Sequence, residues 1–209
     1  MTAPDAQTPQ LGGIHHVAYR CHDAAETVEW YHRVLGMAYT TAFAEDHVPS
    51  TGAYDPYMHV FLDAGGGNVL AFFELPGQPP MGRDAATPEW VQHLAFKVAD
   101  KPALLAAKAH VEAQGVPVLG PTWHGIFESI YFFDPNGHRI ELTCDCGTPE
   151  QYAELARVAP LMLEEWRTTR RAPRHADWLH RTPDGPGDFE RDQSRDSEIA
   201  SPYDAPESA

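Results

Sequence analysis

The sequence predicts an α+β fold in which two βαβββ modules stand in tandem and form curved mixed sheets around a cleft, followed by C-terminal helices. The first observation is an internal repeat, because residues 14–20 (Ile-His-His-Val-Ala-Tyr-Arg) match residues 91–97 (Val-Gln-His-Leu-Ala-Phe-Lys) position by position. His16 corresponds to His93, and each run precedes an acidic residue and a helical pattern. The second observation is that each half closes with an apolar, strand-like run that carries a glutamate. A repeat of this kind dictates the architecture of a chain.

The first module contains one helix. Asp23 is the expected N-cap, and Glu26 three residues later completes a capping-box pattern. Apolar residues then recur at helical spacing until Gly36, which suits the left-handed conformation that ends many helices. Period-two alternation and turn formers predict four strands, over residues 14–21, 37–45, 58–62 and 69–75.

The second module repeats this order. Its helix has Asp100 as the expected N-cap and Pro102 in the first turn, and it ends at Gly115. The run Asp134-Pro135-Asn136-Gly137 is a strong turn signal between two apolar segments. The predicted strands cover residues 91–98, 116–119, 129–133 and 138–144. Because neither module can bury its sheet and its helix alone, we expect the two to pack as one domain.

Other segments lie outside the repeat. The predicted organisation is a flexible lead-in, a two-module domain, a helical extension and an acidic tail with little fixed structure. Their bounds are 1–12, 13–147 (modules 13–76 and 89–147), 148–181 and 182–209. The extension is expected to form one or two amphipathic helices interrupted near Pro160.

Composition excludes several classes of function. The formal net charge of −15 disfavours phosphate-mediated binding to nucleic acid. The sequence contains no run of about 18 apolar residues, so we expect no membrane-spanning helix. The N-terminus lacks a basic start followed by an apolar stretch, so we expect a cytoplasmic protein.

The chain has three cysteines, a sparse and odd number that favours a reducing compartment over a disulfide framework. Two of them form the motif Cys144-Asp145-Cys146. This motif could act as a clip for a soft metal, but two thiols alone do not complete a tetrahedral site.

Four side chains form the candidate metal site. Residues on a strand alternate between its faces, so equivalent histidines and glutamates of two modules can converge at the centre of the cleft. These residues are His16, His93, Glu74 and Glu141. Two imidazoles and one carboxylate are the ligand set of non-haem Fe(II) oxygenases, and a fourth carboxylate would suit Zn²⁺, Ni²⁺, Mn²⁺ or Co²⁺. The alternative is that each histidine is simply a hydrogen-bonded core residue.

Residues 14–144 resemble the vicinal oxygen chelate superfamily, which includes glyoxalase I, fosfomycin and bleomycin resistance proteins, and extradiol catechol dioxygenases. The most specific motif is residues 134–141, Asp-Pro-Asn-Gly-His-Arg-Ile-Glu, with Tyr131 three residues before its aspartate. His124-Gly125 resembles the upstream His-Gly of the extradiol enzymes. These motifs place the chain closest to the extradiol branch.

The resemblance implies roles for individual residues. It makes His16, His93 and Glu141 the metal ligands. Tyr131 would hydrogen-bond the substrate or an oxygen intermediate, and His124 would support the bound oxygen species.

Two further residues have open roles. Glu74 would be a fourth ligand as in glyoxalase I, a general base near the metal, or an outward charge. His59 would be a catalytic group facing inward, or a core or rim residue.

The resemblance implies an Fe²⁺ extradiol-type dioxygenase that uses O₂ to cleave a catechol- or hydroquinone-like ring. The alternative is a glyoxalase-like isomerase or lyase that holds a four-ligand divalent ion such as Zn²⁺, Ni²⁺ or Mn²⁺. A binding or resistance protein without turnover is disfavoured because all the ligands are present. Apolar residues of the extension, among them Trp166 and Trp178, suggest a homodimer.

Overall fold

A computed structural model describes residues 9, 11–82 and 84–180, and within these the two modules have the same order of elements. The first consists of β1 (Val17–Cys21), α1 (Ala24–Leu35), β2 (Ala38–His47), β3 (Tyr54–Asp63) and β4 (Val69–Glu74). The second consists of β5 (Leu94–Lys97), α2 (Lys101–Ala113), β6 (Leu119–Trp123), β7 (Phe127–Phe133) and β8 (Arg139–Asp145). The predicted α+β fold with two βαβββ modules is therefore confirmed.

Each module forms one four-stranded mixed sheet. The strand orders are β1-β4-β3-β2 and β5-β8-β7-β6, so the second sheet repeats the topology of the first. In each sheet the opening strand runs parallel to the closing strand, and the other neighbours are antiparallel. The opening strand, which follows the repeated histidine, thus lies beside the closing strand in both modules.

Both module helices begin where the sequence predicts, and α1 also ends at the predicted glycine, whereas α2 ends at Ala113, two residues before the predicted Gly115. The Asp23 side chain accepts a hydrogen bond from the Glu26 amide at 2.8 Å, and Gly36 ends α1 with a φ of 68°. Asp100 caps α2 in the same way through the Ala103 amide. The negative charge of each carboxylate also interacts favourably with the positive, N-terminal end of the helix dipole, which stabilises the helix.

One hydrophobic core joins the two modules, and it lies between the sheets and the two helices. Its largest fully buried side chains include Tyr31, Phe72, Leu104, Ile130, Phe132 and Ile140. Each helix covers one face of its sheet. The histidine and glutamate of the second module's candidate site occupy the other face.

The turn between β7 and β8 locks the second module onto the first. Asn136 is 2% exposed, accepts a hydrogen bond from the His22 amide and donates one to the Thr27 hydroxyl. The buried Tyr31 hydroxyl donates to Asp134 at 3.0 Å. Burial raises the pKa of both Asp134 and Tyr31, the latter well above its usual value. The turn motif therefore has a structural role between the modules.

The C-terminal extension differs from the prediction. A single helix, α3 (Pro149–Thr169), continues through Pro160, and a short 3-10 helix follows at Asp177–His180. The predicted interruption is wrong, because the helix contains Pro160, an exposed residue, within its span. The predicted tail at 182–209 and most of the lead-in lie outside the described residues. Among the described helices, none is long and apolar enough to cross a membrane.

Candidate metal centre and active site

His93 and Glu141 form a close pair in the second module. Glu141 pairs in register with Ala95, so its side chain shares a face with His93 two residues earlier. The His93 Nε2 and Glu141 Oε2 atoms are 2.9 Å apart. The other Glu141 oxygen accepts a hydrogen bond from the Ser129 hydroxyl. A carboxylate that is 4% exposed is costly unless it is paired, and here both oxygens have partners.

Tyr131 lies directly beside this pair. It faces Glu141 across the β7–β8 ladder, and its ring meets the His93 ring edge-on with 6.1 Å between centroids. Its hydroxyl is 2.8 Å from His124 Nε2, and the Arg139 guanidinium lies 4.5 Å from its ring centroid. Burial raises the pKa of Tyr131, and the Glu141 charge raises it further. The phenol therefore keeps its proton at neutral pH and can donate it.

His16 does not join the pair. It immediately precedes β1 and is exposed, and its Nδ1 lies 2.7 Å from Nδ1 of His15. In the described part of the chain, the ligand atoms of His16, His93 and Glu141 do not all lie within 4.8 Å of one another. The structure thus assembles two of the three expected ligands and leaves the third apart.

His59 lies on the same face of the first sheet as His16. It pairs with Phe73, which in turn pairs with Arg20. Its ring stacks on Phe73 at 3.5 Å and lies 6.0 Å from the His16 ring. Burial lowers the pKa of His59, and His16 lowers it further, so the ring is neutral at pH 7. This position is on the cleft face, although an aromatic ring covers the imidazole.

Glu74 lies on the opposite face, which corrects its expected place in the cleft. It pairs with Cys21, and its carboxylate accepts the amide hydrogen of Ala24 at 2.8 Å at the start of α1. The counterpart of Glu141 is Ala71, because Ala71 pairs with Ala18 as Glu141 pairs with Ala95. Glu74 and Glu141 are alike in residue type, but the strand register puts the position equivalent to Glu141 at Ala71, three residues before Glu74.

Sequence reasoning assigned no role to Ser129 or Arg139. Both are buried and share the face of Glu141 and Tyr131. Alternation along the two strands of the β7–β8 hairpin could have identified them, since residues two apart point the same way.

A cavity of about 220 Å³ opens beside His93. It is smaller than pockets for drug-sized ligands, which measure about 300–1,000 Å³, so it favours a small molecule. Its walls include Tyr19, Glu89, His93, Phe133, His138 and Arg139.

Residues 13–142 match the family model of the glyoxalase/bleomycin resistance protein/dioxygenase superfamily, which is more than half of the chain. The chain belongs to this superfamily. Superfamily membership agrees with the tandem modules.

Individual superfamily relatives are distant. The chain is 27% identical over 139 residues to MhqA of Bacillus subtilis (strain 168), a ring-cleaving dioxygenase candidate by name. This match covers 65% of the chain but only 41% of that protein, so the chain spans less than half of its relative's length.

Solved structures of other proteins are also similar to this chain. A glyoxylase/bleomycin resistance protein/dioxygenase domain from Frankia sp. EAN1pec is 17% identical with a TM-score of 0.51, over 65% of this chain and 99% of that one. A lactoylglutathione lyase from Agrobacterium tumefaciens is 22% identical with a TM-score of 0.45, over 65% and 96%.

Proposed function

We propose that the chain is a metal-dependent dioxygenase that cleaves the ring of a catechol- or hydroquinone-like substrate, with Fe²⁺ as its metal. The observation that carries this proposal is the Tyr131–His124 hydrogen bond directly beside the His93–Glu141 pair. This hydrogen bond places a proton donor, the Tyr131 hydroxyl, and its partner His124 next to a pair of side chains that offers one nitrogen and one oxygen ligand. The ring-cleaving name of the B. subtilis relative agrees with this choice.

The His93–Glu141 pair fits a metal ion. Imidazole nitrogen and carboxylate oxygen bind at about 2.1 Å, so two such atoms at right angles around one ion are about 3 Å apart. The observed separation of 2.9 Å matches this value. In the proposal His16 is the third ligand and exchanges its contact with His15 for the metal. Together the three residues are the donor set of non-haem Fe(II) oxygenases.

The chain's own residues would position the substrate and move a proton. A bound Fe²⁺ would supply Lewis acidity and an O₂-binding position. The Tyr131 hydroxyl donates a hydrogen bond to a substrate oxygen. His124 Nε2 takes up or returns a proton through the Tyr131 hydroxyl. The Arg139 guanidinium lies over the Tyr131 ring and adds positive charge that would stabilise an anionic oxygen of the substrate.

The four-ligand, glyoxalase-like alternative receives less support. It requires a carboxylate from the first module, but Glu74 caps α1 and Ala71 occupies the position equivalent to Glu141. The geometry therefore favours three protein ligands over four.

The test combines metal analysis with turnover. Anaerobically purified protein is analysed for iron, zinc, nickel and manganese, and oxygen uptake is followed with a panel of catechols and hydroquinones. Tyr131→Phe should keep the metal and lower kcat by about 10²–10⁴-fold, the usual contribution of a positioned acid. Tyr54→Phe is the matched control, because Tyr54 is 72% exposed. Full activity in Tyr131→Phe would refute the assigned role.

The homodimer and the cytoplasmic location stay predictions. Exposed apolar side chains on α3 support an association surface, and they are Leu161, Leu163 and Trp166. Sedimentation velocity of the wild-type chain and of Trp166→Ser would test the dimer.

A further inference from the structure

A second group of metal-binding side chains lies on the other face of the second sheet. Glu128 pairs in register with Cys144, and Cys146 lies two residues after Cys144, immediately after the end of β8. Their ligand atoms all lie within 4.8 Å of one another. Because Glu141 is three residues from Cys144 on the same strand, this group faces α2 and is separate from the His93–Glu141 pair.

The separation of the two sulfur atoms suits a shared metal ion. Cys144 Sγ and Cys146 Sγ are 3.9 Å apart. Two thiolates bound at about 2.3 Å in a tetrahedral site would be about 3.8 Å apart. A disulfide bond would require about 2.05 Å. The two sulfurs are therefore already spaced as ligands of one tetrahedral ion.

Glu128 supplies the third ligand that the cysteine motif lacks. One carboxylate oxygen, Oε1, accepts a hydrogen bond from Lys101 Nζ at 2.8 Å. The other, Oε2, is buried and has no hydrogen-bond partner in the described part of the chain, and the side chain is 12% exposed. An unsatisfied buried carboxylate oxygen is costly, and coordination to a cation removes that cost. Lys101 keeps the carboxylate in place without occupying Oε2.

We propose that Glu128, Cys144 and Cys146 form a second metal site, which takes a thiophilic divalent cation such as Zn²⁺. Both thiols release their protons to solvent when the ion binds. Cys146 is exposed, so the ion reaches the site from solvent and the fourth tetrahedral position is open on that side. The site ties the strands β7 and β8 together where α3 begins.

The test is a titration of the full-length, reduced protein with Cd²⁺ under anaerobic conditions. Thiolate–cadmium bonds produce a charge-transfer band in the ultraviolet. We expect one equivalent of Cd²⁺ to produce this band, and Zn²⁺ to displace it. The variant Cys146→Ser should lose the band, and it is the main variant because Cys146 is exposed whereas Cys144 is fully buried.

Two controls separate this site from its alternatives. Cys21→Ser removes a cysteine of the first module and should keep the band, and His93→Ala should also keep it. Glu128→Gln should retain the band but weaken Cd²⁺ binding by about tenfold or more. Absence of the band in the wild-type protein, its persistence in Cys146→Ser, or unchanged affinity in Glu128→Gln would overturn the proposal. None of these readouts depends on dioxygenase activity.

Discussion

Replacing Asn136 by alanine tests whether the β7–β8 turn joins the two modules. The substitution removes three hydrogen bonds in a site that is 2% exposed. These are the bonds from the His22 amide at 2.8 Å, to the Thr27 hydroxyl at 3.1 Å and to Asp134 Oδ2 at 3.1 Å. Two of them cross from the second module to the first.

The expected loss follows from these contacts. A typical intramolecular hydrogen bond contributes about 1 kcal/mol net, and bonds to charged groups contribute more. Three such bonds therefore predict that the free energy of unfolding falls by about 3 kcal/mol. The loss is large because water does not reach the turn to replace the amide.

Urea denaturation followed by circular dichroism measures this change. Asn68→Ala is the matched control, since Asn68 is in the corresponding turn of the first module, is exposed and donates a local hydrogen bond to the Gly65 carbonyl. We expect the control to change stability by less than about 0.5 kcal/mol. If Asn136→Ala matched Asn68→Ala within that margin, the inter-module role of the turn would be refuted.

The remaining predictions concern a capping carboxylate, a crowded glycine and a buried acid. Glu74→Gln should retain the bound metal and cost about 1 kcal/mol in thermal unfolding, because Glu74 serves α1. Glu141→Gln should lose the metal in the same elemental analysis, and equal metal loss in both variants would contradict the assigned faces. Gly125→Ala should destabilise the fold by about 1–3 kcal/mol, because the φ of Gly125 is +88° and the added Cβ would lie 2.6 Å from the Leu179 carbonyl oxygen. A calorimetric scan measures this change, and an unchanged melting temperature would argue against the packing of Leu179 on Gly125. Burial raises the folded pKa of Asp134 above 3.8, so its contribution favours folding at low pH and is lost as pH rises through the folded pKa. Asn136→Asp places a second carboxylate beside Asp134. Urea titrations should show that the variant loses more stability relative to the wild-type protein as the pH rises through the folded pKa of Asp134. A loss of stability that does not change with pH would contradict the burial of Asp134 as its cause.

Local patterns accounted for the order of the elements in the two modules and for the Tyr131–Glu141 part of the candidate site. The caps at Asp23 and Asp100 depend only on neighbouring residues, and the structure has both. The pairing of Tyr131 with Glu141 is also local, because the short turn at 134–137 sets the register of its hairpin. Residues that belong to one hairpin could therefore be placed together from the sequence.

The register of the parallel strands could not be predicted in this way. In the first module β1 and β4 are joined through a helix and two strands, so no turn determines which residues face each other. A shift of one residue turns every side chain to the other face of a sheet. This is why Glu74, matched to Glu141 by type, lies against α1.

The sequence by itself determined the duplicated architecture, the helix starts and the placing of Tyr131 beside Glu141, because each follows from periodicity or from contacts within a few residues. Only the tertiary structure decided that Ala71 replaces a carboxylate in the first module, and that Glu128 lies within reach of Cys144 and Cys146. The physical reason is that these relations depend on how distant strands align. Strand alignment follows from the packing of the whole core and leaves no local mark in the chain.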